Sequence, residues 1–195
     1  MARVDPLPAD QLTEFDQHFA AVEAMMGFVP NSMPTMARVP GLLDGFISTG
    51  AAVLGNAALP NGLAQMVAQI ASSAAGCRYC QAHTGHTAER MGVPAEKLAD
   101  LWLFETSDHF DAAERAALRL AFDAASVPNA VTDAHVDELR EHFDDDQIAG
   151  IVAVVSFFGF LNRWNDTMAT DLEAGPLAFG SRVLGNAGWE PGRHV

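Results

Sequence analysis

The sequence predicts an all-α fold, and three observations predict it. Alternating β-branched and aromatic runs do not occur, while Ala, Leu, Met, Glu and Gln recur at helical spacing. Turn-forming residues fall between the periodic segments, at Gly27 with Pro30 and Asn31, Pro40-Gly41, Pro60-Asn61-Gly62, Gly92 with Pro94, Pro128-Asn129 and Gly175-Pro176. Hydrophobic residues make up 49% of 195 residues, enough to fill one sizeable core.

Taken in order, the pattern places helices at 9–26, 33–38, 40–54, 61–75, 78–91, 95–103, 111–126, 132–143, 145–171 and 177–186. Asp111 is the expected N-cap of the seventh, with Glu114 completing a capping box, and Thr132 that of the eighth. Gly92 is placed to end the fifth in a left-handed turn. No Ser-, Gly- or Pro-rich linker divides the chain, so residues 1–195 are expected to form a single domain. The ninth helix is apolar nearly all round from Ile148 to Leu161, as suits a central helix or one buried between subunits. Its end turns polar at Asn162, Arg163, Asn165 and Asp166, with two readings: a local Arg163–Asp166 ion pair, or a polar end reaching the fifth helix.

Composition narrows the function. A net charge of −14 and a pI near 4.6 repel nucleic-acid phosphates and anionic membrane surfaces alike. The start, "MARVDPLPADQLTEF", lacks the apolar core of a secretory signal. The apolar run 148–161 falls short of the roughly 20 residues a bilayer span needs. Two cysteines do not make a secreted disulfide framework. A cytoplasmic protein is expected, with neutral molecules or copies of itself as partners.

Chemistry concentrates in "AAGCRYCQAHTGHTAERMG", residues 74–92. Cys77 and Cys80 stand three apart at an expected helix start, one turn from each other and within reach of a disulfide. Free N–H groups and the helix dipole favour negative charge there, and Arg78 adds to it. Gly76 permits the sharp turn into the helix. His83 and then His86 follow at three-residue intervals on the same face, where an imidazole can take a thiol proton and return it to a leaving group. A zinc set of Cys77, Cys80, His83 and His86 fails on geometry, because four ligands along one helix spread over about 14 Å. Zinc shared between subunits and a structural pair of buried thiols are the alternatives. Reversible dithiol chemistry is the main reading, and it requires both that the sulfurs meet and that an oxidant reaches them.

The segment "LAQMVAQIASSAAGCRYCQAHTGHTAERMG" resembles the core motif of the carboxymuconolactone decarboxylase family, and most of all its alkylhydroperoxidase D (AhpD), peroxidase-related branch. The matching positions are Gln65, Cys77, Cys80, His83 and Gly92. The likeness is strongest over 61–92, and "FLNRWNDTMATDLE" and "GWEPGRH" also look like peroxidase-related members. The resemblance implies an AhpD-like helical bundle of roughly eight to ten helices, assembled as trimers or hexamers. It implies reduction of a small hydroperoxide by the cysteine pair, re-reduced by a dithiol or lipoyl-type protein, with no cofactor or metal. In the family a glutamate and a histidine relay a proton to the reactive cysteine.

This chain departs from that pattern twice. Gln65 stands where the family has glutamate, and an amide takes up no proton near neutral pH. His83 comes three residues after the second cysteine instead of four, a turn of about 100° at 3.6 residues per turn, with Thr84 at the family position and His86 as a substitute. Helix-end electrostatics favour attack by Cys77, whereas the family relay and His83 favour Cys80. Competing functions are a cofactor-free decarboxylase or lactone-processing enzyme, whose relatives generally lack the CxxC pair, and a zinc-binding or redox-sensing protein. Met25, Met26, Met33, Met36 and Phe157, Phe158, Phe160 read as core. Trp102, Trp164 and Trp189 are candidates to wall a pocket, and His109, His135 and His142 read as surface positions.

Overall fold

The computed structural model describes residues 2–195, so the first residue of the expected domain lies outside the described residues. Among the described residues there are ten α-helices and no strand: α1 Asp16–Met26, α2 Ser32–Met36, α3 Leu42–Leu54, α4 Leu63–Ala74, α5 Arg78–Arg90, α6 Ala95–Ala99, α7 Ala112–Ala125, α8 Asp133–Arg140, α9 Asp145–Met168 and α10 Ala174–Phe179.

The centre is α4. Leu63 and every residue from Gln65 to Ser72 on it are buried, because α5, α7 and α9 all pack against it. The α4–α5 hairpin reverses at Gly76, whose φ of +76° is open to glycine and strained for other residues. The hairpin register follows from side chains: Gln81 Nε2 donates to Ser72 O, and Gln69 Oε1 lies 3.1 Å from where a Cβ on Gly85 would stand. The same missing Cβ lets Phe179 lie against α5; a Cβ at Gly85 would come within 2.3 Å of its ring.

The expected helix starts at Asp111 and Thr132 are observed. Asp111 and Glu114 exchange side-chain-to-backbone hydrogen bonds at the start of α7, and a box that the sequence reading did not name joins Asp144 and Gln147 at α9. The Thr132 N–H donates to His135 Nδ1 at the start of α8. Gly92, at φ +92°, lets the Val93 N–H reach back to Ala88 O.

Several boundaries differ from the sequence reading. The helix expected at 9–26 opens as two 3-10 turns, Ala9–Gln11 and Thr13–Phe15, because Leu12 (φ −114°, ψ 4°) leaves helical geometry. The 95–103 segment splits into α6 and a 3-10 turn, Leu101–Leu103. The ninth helix stops at Met168, where Ala169 turns left-handed (φ 51°) and Thr170 closes the end onto Asn165. The last helix starts three residues early, since Pro176 in its first turn has no N–H to leave unpaired. It continues as a π-turn, Gly180–Leu184, then a 3-10 turn, Gly185–Ala187.

By length and composition α9 is apolar enough to cross a membrane. Here it is a core helix, with Ile151, Val154, Phe157 and Phe158 buried against its neighbours and Val152 and Phe160 left exposed. Met33 and Met36 are core as expected, whereas Met25 is exposed. The Arg163–Asp166 pair does not form: Arg163 Nη1 donates to Gly159 O at 2.8 Å, and Asp166 faces Arg193 at 3.4 Å.

Candidate active site

Cys77 is the N-cap of α5, in extended geometry (φ −80°, ψ 99°), and its sulfur accepts the Cys80 N–H at 3.4 Å. Both cysteines are free thiols. Burial pushes the Cys80 thiol well above its ordinary value, as do the Cys77 sulfur and the charge of Asp166. The Asn165 amide, 3.5 Å from Cys80 Sγ, acts in the opposite direction. The polar end of α9 therefore does reach the cysteine helix. Cys77 is 0% and Cys80 2% exposed, so both sulfurs lie in the core, one turn of α5 apart.

His83 is buried one turn beyond Cys80. Its Nε2 lies 2.5 Å from Glu173 Oε2, and its ring stacks on Tyr79 with centroids 4.1 Å apart. The Tyr79 hydroxyl donates to Glu173 Oε1 at 3.0 Å, and the Asn31 N–H donates to the same oxygen at 2.5 Å. Burial raises the Glu173 carboxyl, but the hydrogen bond and charge of His83 and the Asn31 N–H outweigh it, leaving the group below the usual range. Burial and the Glu173 charge push the Tyr79 phenol up, so it keeps its proton and donates.

Glu173 is the residue that sequence reasoning missed. It sits at the N-cap of α10, 90 residues after His83, and only the fold brings it there. The one available signal was negative: Gln65 left the family relay without its carboxylate. Gln65 is buried on α4, and the hydrogen bonds of His83 and Tyr79 go to Glu173. Thr84 is buried too, its hydroxyl bonded back to Cys80 O at 2.8 Å. Moving the histidine from 84 to 83 turns it towards the segment that carries Glu173.

His86 lies near Phe28 (centroids 5.8 Å) and Gly175, lining a cavity of about 250 Å³ that also touches Glu173 and Arg90. Burial lowers its pKa. The indole of Trp189 donates to Arg78 O at 3.2 Å and so covers the start of α5, while Trp164 bonds Thr35 and Trp102 is exposed. His194 packs near Tyr79 (centroids 5.8 Å), with its Nδ1 2.8 Å from Thr170 O. Of the expected surface histidines, His109 and His142 are exposed and His135 is half-buried against Asp123. Among the described residues no cluster of three or more His, Cys, Asp or Glu is placed to hold a metal, and His83 Nε2 is already engaged with Glu173.

These features define an all-α protein of the AhpD-like class with a free dithiol at a helix start beside a His–Glu–Tyr array. The chain belongs to the carboxymuconolactone decarboxylase family, whose model matches residues 40–123. It is similar to the debrominase Bmp8, with 36% identity to the apo structure over 91% of this chain and 95% of that one, and a TM-score of 0.85. A cysteine-to-alanine variant of Bmp8 in complex with 2,3,4-tribromopyrrole matches at 33% identity over 94% and 100% of the two chains, with a TM-score of 0.88. A peroxidase-related protein with an alkylhydroperoxidase AhpD core, from Ralstonia eutropha JMP134, matches at 25% identity over 90% and 94%, with a TM-score of 0.80. The protein YdfG of Bacillus subtilis (strain 168) is 29% identical over 92 residues, covering 46% of this chain and 60% of that protein's length.

Proposed function

We propose that this protein is a thiol-dependent reductase of organic hydroperoxides, using Cys77 and Cys80 as a dithiol that cycles with its disulfide in an antioxidant, cytoplasmic role. The observation that carries this reading is the arrangement of the pair: Cys77 caps the first turn of α5 and its sulfur accepts the Cys80 N–H. Cys80, held protonated by burial, is the resolving thiol, and Cys77 at the helix start is the nucleophile.

The Cys77 thiolate attacks the terminal peroxide oxygen, the O–O bond breaks, and the alkoxide takes a proton to leave as alcohol. Cys77 is then a sulfenic acid. The Cys80 sulfur attacks it, hydroxide leaves as water with the Cys80 proton, and a disulfide remains. Two thiols and one hydroperoxide thus give one disulfide, one alcohol and one water. A dithiol or lipoyl-type protein restores the thiols by exchange. The His83–Glu173–Tyr79 array handles the protons, with Glu173 fixing the orientation of both rings. The proposed working unit is a homo-oligomer, a trimer or hexamer.

The similarity to Bmp8 across nearly the whole chain favours a second reading, removal of halogen from a halogenated pyrrole. Its balance uses the same dithiol: aryl bromide and two thiols give the arene, bromide, a proton and the disulfide. One equivalent of cumene hydroperoxide or of tribromopyrrole, followed by thiol counting and intact mass, decides between them. Loss of two thiols and two hydrogen atoms with cumene hydroperoxide alone supports the first reading; loss with the bromopyrrole alone, and bromide release, supports the second. Full retention of both thiols with either compound overturns the dithiol mechanism.

A further inference from the structure

A groove of about 640 Å³ lies between the C-terminal ends of α4 and α7 and the exposed side of α9. Ala74 and Ala75, which line it, lead directly into Gly76 and Cys77. Val152 and Val155 give it an apolar wall, and Asn162 and Asp166 line it on α9. Asn162 is 4% exposed, and neither its amide nitrogen nor its amide oxygen has a hydrogen-bond partner. A buried primary amide with donor and acceptor both unpaired is costly, and such an amide beside a cavity is built to be satisfied by what enters. One turn further along the same helix, the Asn165 amide touches Cys80 Sγ at 3.5 Å, so Asn162 stands about 5 Å from that contact along the axis.

We infer that this groove binds the organic hydroperoxide and that the Asn162 amide recognises its –OOH group. The inference rests on the dithiol-reductase reading and adds to it a site and a specificity element. A hydroperoxide carries an O–H donor and an adjacent oxygen acceptor, which match Asn162 Oδ1 and Nδ2 together. A pyrrole N–H would satisfy the oxygen and leave the nitrogen unpaired. The groove has the size of a small-molecule site and accommodates an alkyl or aryl body against Val152, Val155 and the two alanines. The lining carries one charge of each sign, Arg163 and Asp166, which suits an uncharged ligand.

The test measures binding separately from turnover. Calorimetry on a Cys77→Ser/Cys80→Ser protein compares cumene hydroperoxide with cumyl methyl peroxide, which lacks the O–H donor. The protein is expected to prefer the hydroperoxide at least tenfold, and Asn162→Leu to abolish the preference. Ser156→Trp, whose parent residue is exposed and bonds only its own helix, fills the groove and is expected to weaken both ligands at least tenfold. A preference for the O–H compound that survives Asn162→Leu, or binding unaffected by Ser156→Trp, overturns the inference even if the wild-type protein reduces hydroperoxides. Asn162-dependent binding without peroxide turnover sustains the site and removes the reductase reading instead.

Discussion

Replacing Glu173 with glutamine tests the site at its least expected residue. The carboxylate meets three groups, the Asn31 N–H, the Tyr79 O–H and His83 Nε2, with its side chain only 10% exposed. Glutamine keeps the shape but offers one acceptor oxygen, and its NH₂ faces groups that the carboxylate accepted. At least one of the three contacts is lost in a buried setting, at about 1–3 kcal/mol. A net loss of about 2 kcal/mol lowers the melting temperature by roughly 4–8 °C for a domain of this size. With His83 and Tyr79 no longer held, single-turnover oxidation by cumene hydroperoxide, followed by acid quench and thiol counting, should slow about 100-fold. The pH dependence has a definite sign. The Glu173 carboxyl lies below its unfolded value, so its stabilisation is complete above about pH 4.3 and is lost as pH falls through the folded value. Wild type and Glu173→Gln should therefore differ in stability by a constant amount at neutral pH and converge in acid. Gln65→Glu should not restore the rate, because the carboxylate that meets His83 comes from position 173. Equal melting temperatures and equal oxidation rates for Glu173→Gln and wild type would refute the assignment of the array.

Three further outcomes are expected. Cys80→Ser should leave a Cys77 sulfenic acid that dimedone traps after one equivalent of peroxide, while Cys77→Ser should leave none; the reverse pattern exchanges the two roles. Gly85→Ala places a methyl within 2.3 Å of the buried Phe179 ring and should cost about 1–3 kcal/mol, read as a lower midpoint in urea unfolding at unchanged m. His194 is 1% exposed, and burial lowers its pKa against the opposing pull of Thr170 O and Asp166, so unfolding takes up a proton. Stability should then fall as pH drops below about 6.5, and His194→Gln should remove that part of the slope.

The helices, the caps at Asp111, Thr132 and Gly92, and the placing of Cys77 and Cys80 at a helix start were legible in the sequence, because they depend on neighbours within one or two turns. Apolar spacing placed all ten α-helices, and Asp111 with Glu114 marked the start of α7 correctly. Errors came where a single backbone angle decides, as at Leu12 and Ala169, where no side chain announces the departure from helix. The site divided along the same line. Cys77, Cys80 and His83 are local to α5 and could be read, whereas the contacts of Glu173 with His83 and Tyr79, and of Asn165 with Cys80, depend on how α9 and α10 return to α5.

Sequence by itself determined an all-helical chain with a dithiol at the start of a helix and a histidine one turn on, since helix periodicity and capping are short-range effects. Tertiary structure decided which carboxylate serves that histidine and how deeply the sulfurs lie. Those depend on packing between segments as much as 90 residues apart, and on where a missing Cβ at Gly85 lets two helices close.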